Sequence, residues 1–255
     1  MMLAIIQARF SSTRLPGKVM KPLVGRPMIE RQVERVCRAK SVQRVILATS
    51  DRASDDVLAR LCEDMDVGCF RGSLEDVLDR YYRAVLQFGA ESVVRLTGDC
   101  PLVDPDVIDR AVDVYMQQRA DYVSNTIVPT YPDGLDVEVL SVRALECAWR
   151  EAALPSEREH VTPFIYKHPD RFRLAELRGN PNLSTLRWTV DAPEDFEFVR
   201  RVYEALYPAN PEFRLRDILA LLEREPSLQE LNAGHRRNEG YQKSLTQDRN
   251  RRGNG

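Results

Sequence analysis

An α/β fold, with a mostly parallel sheet in a three-layer α/β/α sandwich, is predicted by three observations in this 255-residue sequence. Short apolar, β-rich runs alternate with helix-period segments of roughly 10–15 residues, the signature of βαβ units. Three of the runs end on aspartate: "LATSD" at Asp51, "RLTGD" at Asp99 and "RWTVD" at Asp191. The first run, "MLAII", leads straight into a cationic loop, "QARFSSTRLPGK", from Gln7 to Lys18.

Taken in order, strands are expected at 3–8, 44–49, 92–97, 122–125, 136–140, 172–177 and 185–190. Helices are expected near 27–39, 54–65, 74–88, 105–118, 142–153, 157–167, 194–206 and 214–224. Pro27 sits at a first-turn position, and Ile29, Val33, Val36 and Cys37 then share one helix face. Ser73 with Asp76 reads as a capping box ahead of Val77, Leu78, Tyr81 and Val85. Asp104 precedes Pro105 as a cap, and Pro193 starts a later helix. The stretch 126–190 breaks the alternation and is read as an insertion that covers the sheet edge and shapes a second pocket. It sits within one domain spanning 1–231. Residues 232–255 are polar and Arg-rich without apolar periodicity, which reads as a disordered basic tail.

Apolar content of 43% and charged content of 30% describe an ordinary globular chain. A net charge of −2 argues against a general nucleic-acid binder. Cys37, Cys62, Cys69, Cys100 and Cys147 are scattered, with no CxxC pair and only three histidines, so a structural zinc site is not expected. Such thiols fit a reduced, cytoplasmic setting. No run approaches the roughly 18 apolar residues of a membrane helix, and the apolar start meets Arg9 too soon for a signal peptide.

Ligands of open α/β sheets bind beyond the carboxyl ends of strands. The loop and the three aspartates can therefore gather on one rim. Asp104 suffices to cap its own helix, and Ala192 takes the cap position before Pro193. Asp99 and Asp191 are thus left without a capping role, and two carboxylates beside a phosphate-binding loop suit Mg²⁺. Leu15-Pro16-Gly17-Lys18 fits a type II turn with glycine at positive φ, which would aim Lys18. Arg9, Arg14 and Lys18 supply the cations for a triphosphate. The loop is neither a Walker A loop, since Val19 follows Lys18, nor a dinucleotide fingerprint. Spacing alone leaves phosphate binding and a solvated basic loop both open.

"IIQARFSSTRLPGK" resembles the signature of cytidylyltransferases that make CMP-activated sugars, such as the CMP-Kdo and CMP-sialic acid synthetases. It is most similar to the branch of spore coat polysaccharide biosynthesis protein F. "ATSD", "FRGSLEDVLDRY", "RLTGDCPLVDP", "DYVSN", "PDGLDVEV", "REHVTPFIY" and "RWTVDAPEDF" follow in family order over residues 3–207. The resemblance implies a nucleotide-diphospho-sugar transferase fold, a nucleotidyltransferase domain over 1–231 and a homodimer. It implies CTP phosphates on Arg9, Ser12, Arg14 and Lys18, and a nucleoside held by Thr49, Ser50, Asp51, Arg71, Gly72, Ser73 and Gly98. Asp99 and Asp191 would ligate Mg²⁺. With Arg9, Arg14 and Lys18 they would form the catalytic set.

A sugar acceptor would meet Asp133, Asp136, Glu138, Glu159 and His160. Asp136 and Glu138 share one strand face, and His160 sits where it could orient an acceptor hydroxyl. Cys100 reads as a buried thiol rather than a nucleophile. Two other readings stay open: a metal-dependent glycosyltransferase using "DVE" (Asp136–Glu138), and a non-catalytic nucleotide-binding protein.

Overall fold

The computed structural model describes residues 1–234, 237 and 239–253. The strands are β1 (Met2–Gln7), β2 (Pro22–Leu23), β3 (Arg26–Pro27), β4 (Arg44–Ser50), β5 (Gly68–Gly72), β6 (Ser92–Thr97), β7 (Tyr122–Ser124), β8 (Glu138–Ser141) and β9 (Leu174–Glu176). Among the described residues the central sheet runs β5-β4-β1-β6-β8-β7-β9, and β2 and β3 form a separate small hairpin. Only β8 pairs antiparallel within the large sheet. The chain leaves β1 for β4 on one side and later returns to β6 on the other. That places a topological switch point between β1 and β6.

The helices are α1 (Met28–Val36), α2 (Asp56–Asp64), α3 (Val77–Phe88), α4 (Pro105–Gln118), α5 (Val142–Glu151), α6 (Pro155–His160), α7 (Pro163–Tyr166), α8 (Pro193–Leu206), α9 (Leu215–Arg224) and α10 (Glu239–Gly253). Successive β1 residues point to opposite faces. Ala4 and Ile6 join a core with Met28 of α1, Leu58 of α2, Ile108 of α4, Phe198 of α8 and Leu221 of α9. Leu3 and Ile5 join a second core with Leu78 and Tyr81 of α3, Leu145 of α5 and Ile165 of α7. Burial on both faces explains why β1 and β4 read as continuous apolar runs. The three predicted layers are present.

Several expectations change. The segment 185–190 is not a sheet strand; it meets the 132–135 turn through one isolated bridge, Asp133–Arg187. Strand β5, "GCFRG", is not among the expected strands: its ends are glycine and it carries no β-branched residue. Helix α3 starts at Val77, not 74. Ser73 Oγ accepts the Asp76 N–H (3.0 Å), and Asp76 is the cap, accepting from the Asp79 N–H (2.9 Å). Pro27 caps α1 from β3 rather than lying in its first turn. The helix expected over 157–167 splits into α6 and α7, because Val161 turns to φ 72 before Pro163. The stretch 126–190 does more than cover the sheet edge: β8 lies inside the sheet between β6 and β7, while β9 forms the edge beside β7.

The disordered tail is also revised. His235, Arg236, Asn238, Asn254 and Gly255 lie outside the described residues, but α10 is helical and packs on α6. It has no apolar face, so periodicity could not find it. Polar contacts anchor it instead, among them the Ser156 N–H to Asp248 (3.3 Å).

Candidate active site

The loop after β1 is held from three directions. Gly98 donates its N–H to Gln7 O (2.7 Å), and a Cβ there would stand 2.7 Å from that of Ala8, so glycine lets β6 close on β1. The Leu15–Lys18 turn forms as expected. Lys18 N–H donates to Leu15 O (3.2 Å), and Gly17 sits at φ 67. From below, the Asp55 carboxylate accepts the Phe10 N–H (2.8 Å), the Ser50 N–H (3.0 Å) and Thr49 Oγ1 (2.9 Å). Burial pushes this acid up, but the Ser50 hydroxyl bond, with these three, outweighs burial and holds it below the usual carboxylate range.

The turn delivers Lys18 into the gap between two distant carboxylates. Its Nζ donates to Asp99 Oδ2 (3.3 Å), Asp191 Oδ1 (3.0 Å) and Val190 O (2.6 Å). Arg14 Nη2 reaches the same Asp191 oxygen at 2.9 Å. Lys18 is 8% exposed. Burial lowers its affinity for a proton, yet Asp99 and Asp191 raise it further, so the ammonium stays charged. Asp99 shows the converse: burial favours its neutral form, but Lys18 and Thr97 hold it below the ordinary value. Asp191 arrives on an extended segment whose Val190 N–H donates to Asp99 O (2.8 Å).

Asp99 and Asp191 therefore converge on one cation position. Among the described residues no group of three His, Cys, Asp or Glu side chains could hold a metal by itself. Mg²⁺ is commonly bound by one or two carboxylates, with phosphates and water completing six oxygens. The donor pair fits that pattern. The "DVE" alternative fits less well. Glu138 is spent on Arg95, on the Tyr122 hydroxyl and on Thr162 Oγ1 (2.6 Å), and does not converge with Asp136 on a common cation.

Arg187 and Asp195 were not found from sequence. Arg187 grips the fully buried Asp195 with Nε and Nη2, both at 2.8 Å, and reaches Asp133 (3.1 Å) and Asp191 (3.5 Å). Asp195 also accepts the N–H groups of Asp191 (2.9 Å) and Ala192 (3.0 Å), capping α8 while setting the strand-end backbone. The available signal was the Asp195 carboxylate three residues after Ala192, a helix-start pattern that concealed its second task.

Two lobes open from this junction. The first, about 720 Å³, is lined by Arg9, Ser12, Arg14, Lys18, Gly98, Asp99 and Asp191, together with Asp76, Arg80 and Arg158. Arg158 forks Asp76 through Nε (3.0 and 3.1 Å) and Nη2 (2.5 Å). The structure does not bring Thr49, Ser50, Asp51, Arg71, Gly72 or Ser73 to the lobe wall. Thr49 and Ser50 are buried against Asp55, Asp51 is exposed, Arg71 pairs with Asp56 (2.7 Å), Gly72 accepts the Asp51 N–H (2.9 Å), and Ser73 is used at the start of α3.

The second lobe, about 430 Å³, is lined by Asp133, Asp136, Glu138, His160, Thr189 and Tyr241. Arg14, Asp99, Asp191 and His160 belong to both lobes. Gly134, at φ 108, packs where a Cβ would meet Trp188 and Thr189 backbone at 2.5 Å, and so brings the Asp133–Asp136 turn against the 188–190 segment. Burial, with Asp133, Glu138 and Asp99 nearby, raises Asp136 to about 7 despite Arg237. His160 bonds Ser244 Oγ (3.0 Å), and burial lowers its pKa, which favours neutral imidazole. Glu159 lines the first lobe rather than the second. Cys100 lies buried in the second lobe, and burial plus Asp99 raise it well above the usual thiol value, consistent with an inert thiol.

Comparison with known proteins adds to this geometry. A family model described as cytidylyltransferase matches residues 3–233. The chain is similar to spore coat polysaccharide biosynthesis protein SpsF of Bacillus subtilis, at 35% identity over 88% of this chain and 95% of the relative. It is similar to the solved cytidylyltransferase of Leptospira borgpetersenii, at TM-score 0.85 and 31% identity, over 89% of this chain and 96% of that one. A CMP-2-keto-3-deoxy-manno-octonic acid synthetase solved with CTP shares the fold at TM-score 0.61 and 19% identity, over 80% of this chain and 98% of that one.

Proposed function

The chain belongs to the cytidylyltransferase family, and from that premise we propose that it transfers CMP from CTP to a hydroxyl of a sugar or sugar-acid acceptor. Pyrophosphate is the second product, and the reaction serves surface polysaccharide or glycan precursor synthesis. The observation that carries this reading is the meeting of two lobes at Arg14, Asp99 and Asp191, with Lys18 of the first lobe paired to both carboxylates.

The triphosphate lies along Arg9, Ser12, Arg14 and Lys18 in the first lobe, where charge-assisted hydrogen bonds contribute about 1.5–3 kcal/mol each. The nucleoside continues toward Asp76, Arg80 and Arg158. The acceptor enters from the second lobe, where Asp133, Asp136 and neutral His160 orient its hydroxyls. Its oxygen forms the new bond to the α-phosphorus. The bond to the bridging α–β oxygen breaks, pyrophosphate leaves with that electron pair, and the hydroxyl proton passes to water in the open cavity. Arg14 and Lys18 stand where negative charge grows on the transferring phosphate, and such preorganised charge dominates phosphoryl chemistry. Mg²⁺ held by Asp99 and Asp191 would supply further neutralisation of the phosphate oxygens.

The test is pyrophosphate release with each of the four nucleoside triphosphates against sugar acids, amino sugars and sugar phosphates. Release specific to CTP is expected. No CTP-dependent release with any acceptor, while Asp99→Asn binds CTP and Mg²⁺ as the parent does, overturns the reading. A homodimer and a cytoplasmic location belong to the same proposal, checked by sedimentation and by cell fractionation. Among the described residues no helix is long and apolar enough to cross a membrane.

A further inference from the structure

The second lobe contains an imbalance that the core of the fold does not correct. Asp133, Asp136 and Glu138 come from one turn and the strand after it. Glu138 is matched by Arg95, and Asp133 by Arg187. Among the described residues Asp136 has one cation against it, Arg237, which reaches back from beyond Gly234. Arg237 also donates to Tyr131 O (3.2 Å) and lies 3.9 Å from Asp133.

Just beyond it, α10 crosses the face where the lobes join. Gly240 lines both lobes and Tyr241 the second. Tyr241 meets the His160 ring edge-on at 5.0 Å. Ser244 Oγ bonds His160 Nε2 (3.0 Å) and donates to Glu159 (2.8 Å). These contacts span 81 to 106 residues of sequence, and the residues making them lie past the 3–233 stretch that matches the family.

We propose that Arg237 and α10 form a working wall of the acceptor lobe, with Arg237 positioning Asp133 and Asp136, and Tyr241 and Ser244 positioning His160. The proposal rests on the cytidylyltransferase reading for what enters the lobe, but not for the contacts themselves. Two physical consequences follow. Arg237 offsets the acid of the lobe, so it admits acceptors bearing a carboxylate that Asp133 and Asp136 would otherwise repel. The Ser244 bond fixes which way the His160 ring faces an acceptor hydroxyl, since one ring nitrogen is committed to it.

Full-length Arg237→Ala, Arg237→Lys and Ser244→Ala proteins test this. Steady-state kinetics would use CTP with the sugar acid and the neutral sugar that turn over fastest. Arg237→Ala is expected to raise the sugar-acid KM about ten- to hundredfold, the usual effect of losing a charge-assisted contact. The neutral-sugar KM should rise less, the KM for CTP should not change, and Arg237→Lys should recover part of the loss. A second measurement needs no acceptor. Diethyl pyrocarbonate modification of His160, followed by peptide mass spectrometry, should run several-fold faster in Ser244→Ala, with His168 unchanged. Equal rises in the KM for CTP and acceptor, a faster enzyme after Arg237→Ala, or unaltered His160 reactivity each overturn the proposal. Absent CTP turnover in the parent would instead count against the cytidylyltransferase reading, and the His160 rates would still decide whether the wall exists.

Discussion

The first lobe takes Arg9, Arg14 and Lys18 from one contiguous loop, set on the end of a strand buried on both faces, with Arg80 and Arg158 added by α3 and α6. The second lobe draws on the Asp133–Glu138 turn and strand, the 187–191 segment, α6 and the chain beyond Gly234, joined by ion pairs. The difference teaches where each lobe is vulnerable. A lobe built from one loop depends on local geometry and on what pins that loop. A lobe assembled by ion pairs depends on each buried partner, because removing one leaves an uncompensated charge.

The sharpest way to break the second lobe is Arg187→Ala, which strands Asp195 and Asp133 together. A loss of about 3–5 kcal/mol in unfolding free energy is expected, read by urea denaturation. A loss below about 1 kcal/mol would show that the guanidinium is not the keystone. In the first lobe the largest effect should be on rate rather than stability. Lys18→Met removes the ammonium that meets both Asp99 and Asp191, and pyrophosphate release should fall about 10²–10³-fold, as when a preorganised charge donor is lost.

Asp55→Ala tests whether the loop is pinned from below. The Phe10 and Ser50 N–H groups lose their acceptor, at about 1–3 kcal/mol per stranded group. The KM for CTP should rise while the acceptor KM holds. An unchanged KM for CTP would separate the loop from its anchor. The last expected effect is on pH dependence. Asp136 is raised from 3.8 to about 7 in the folded protein, so the folded state binds this proton more tightly than the unfolded chain. Its contribution to stability therefore falls as pH climbs between about 4 and 7, and is level above that window. Asp136→Asn should flatten that part of the Tm–pH curve; an identical slope in the variant would show that other groups set it.

The cationic loop and carboxylates of the first lobe and the acids and His160 of the second are legible in the sequence; the partners that hold them are not. Asp99 and Asp191 stand out because neighbouring residues already explain the local caps, and Lys18 because its turn has a recognisable Pro-Gly signature. Those are short-range statements. Thr49, Ser50 and Ser73 were legible as polar residues near strand ends, but not as groups already bound to Asp55 or used at the start of α3. Arg187 looked like an ordinary residue in an apolar run, and Ser244 like part of a featureless polar tail.

The amino-acid sequence by itself determined the alternation of strand and helix, the two-faced burial of β1 and β4, the Leu15–Lys18 turn and the capping of α4 by Asp104. Each follows from periodicity or from backbone preferences acting over a few residues. Tertiary structure alone decided that β8 enters the sheet antiparallel, that Lys18 lies between Asp99 and Asp191, 81 and 173 positions away, and that Arg237 returns to Asp136. Such pairings depend on charge and burial meeting in space, and no local pattern in the chain encodes which distant partner a buried charge will find.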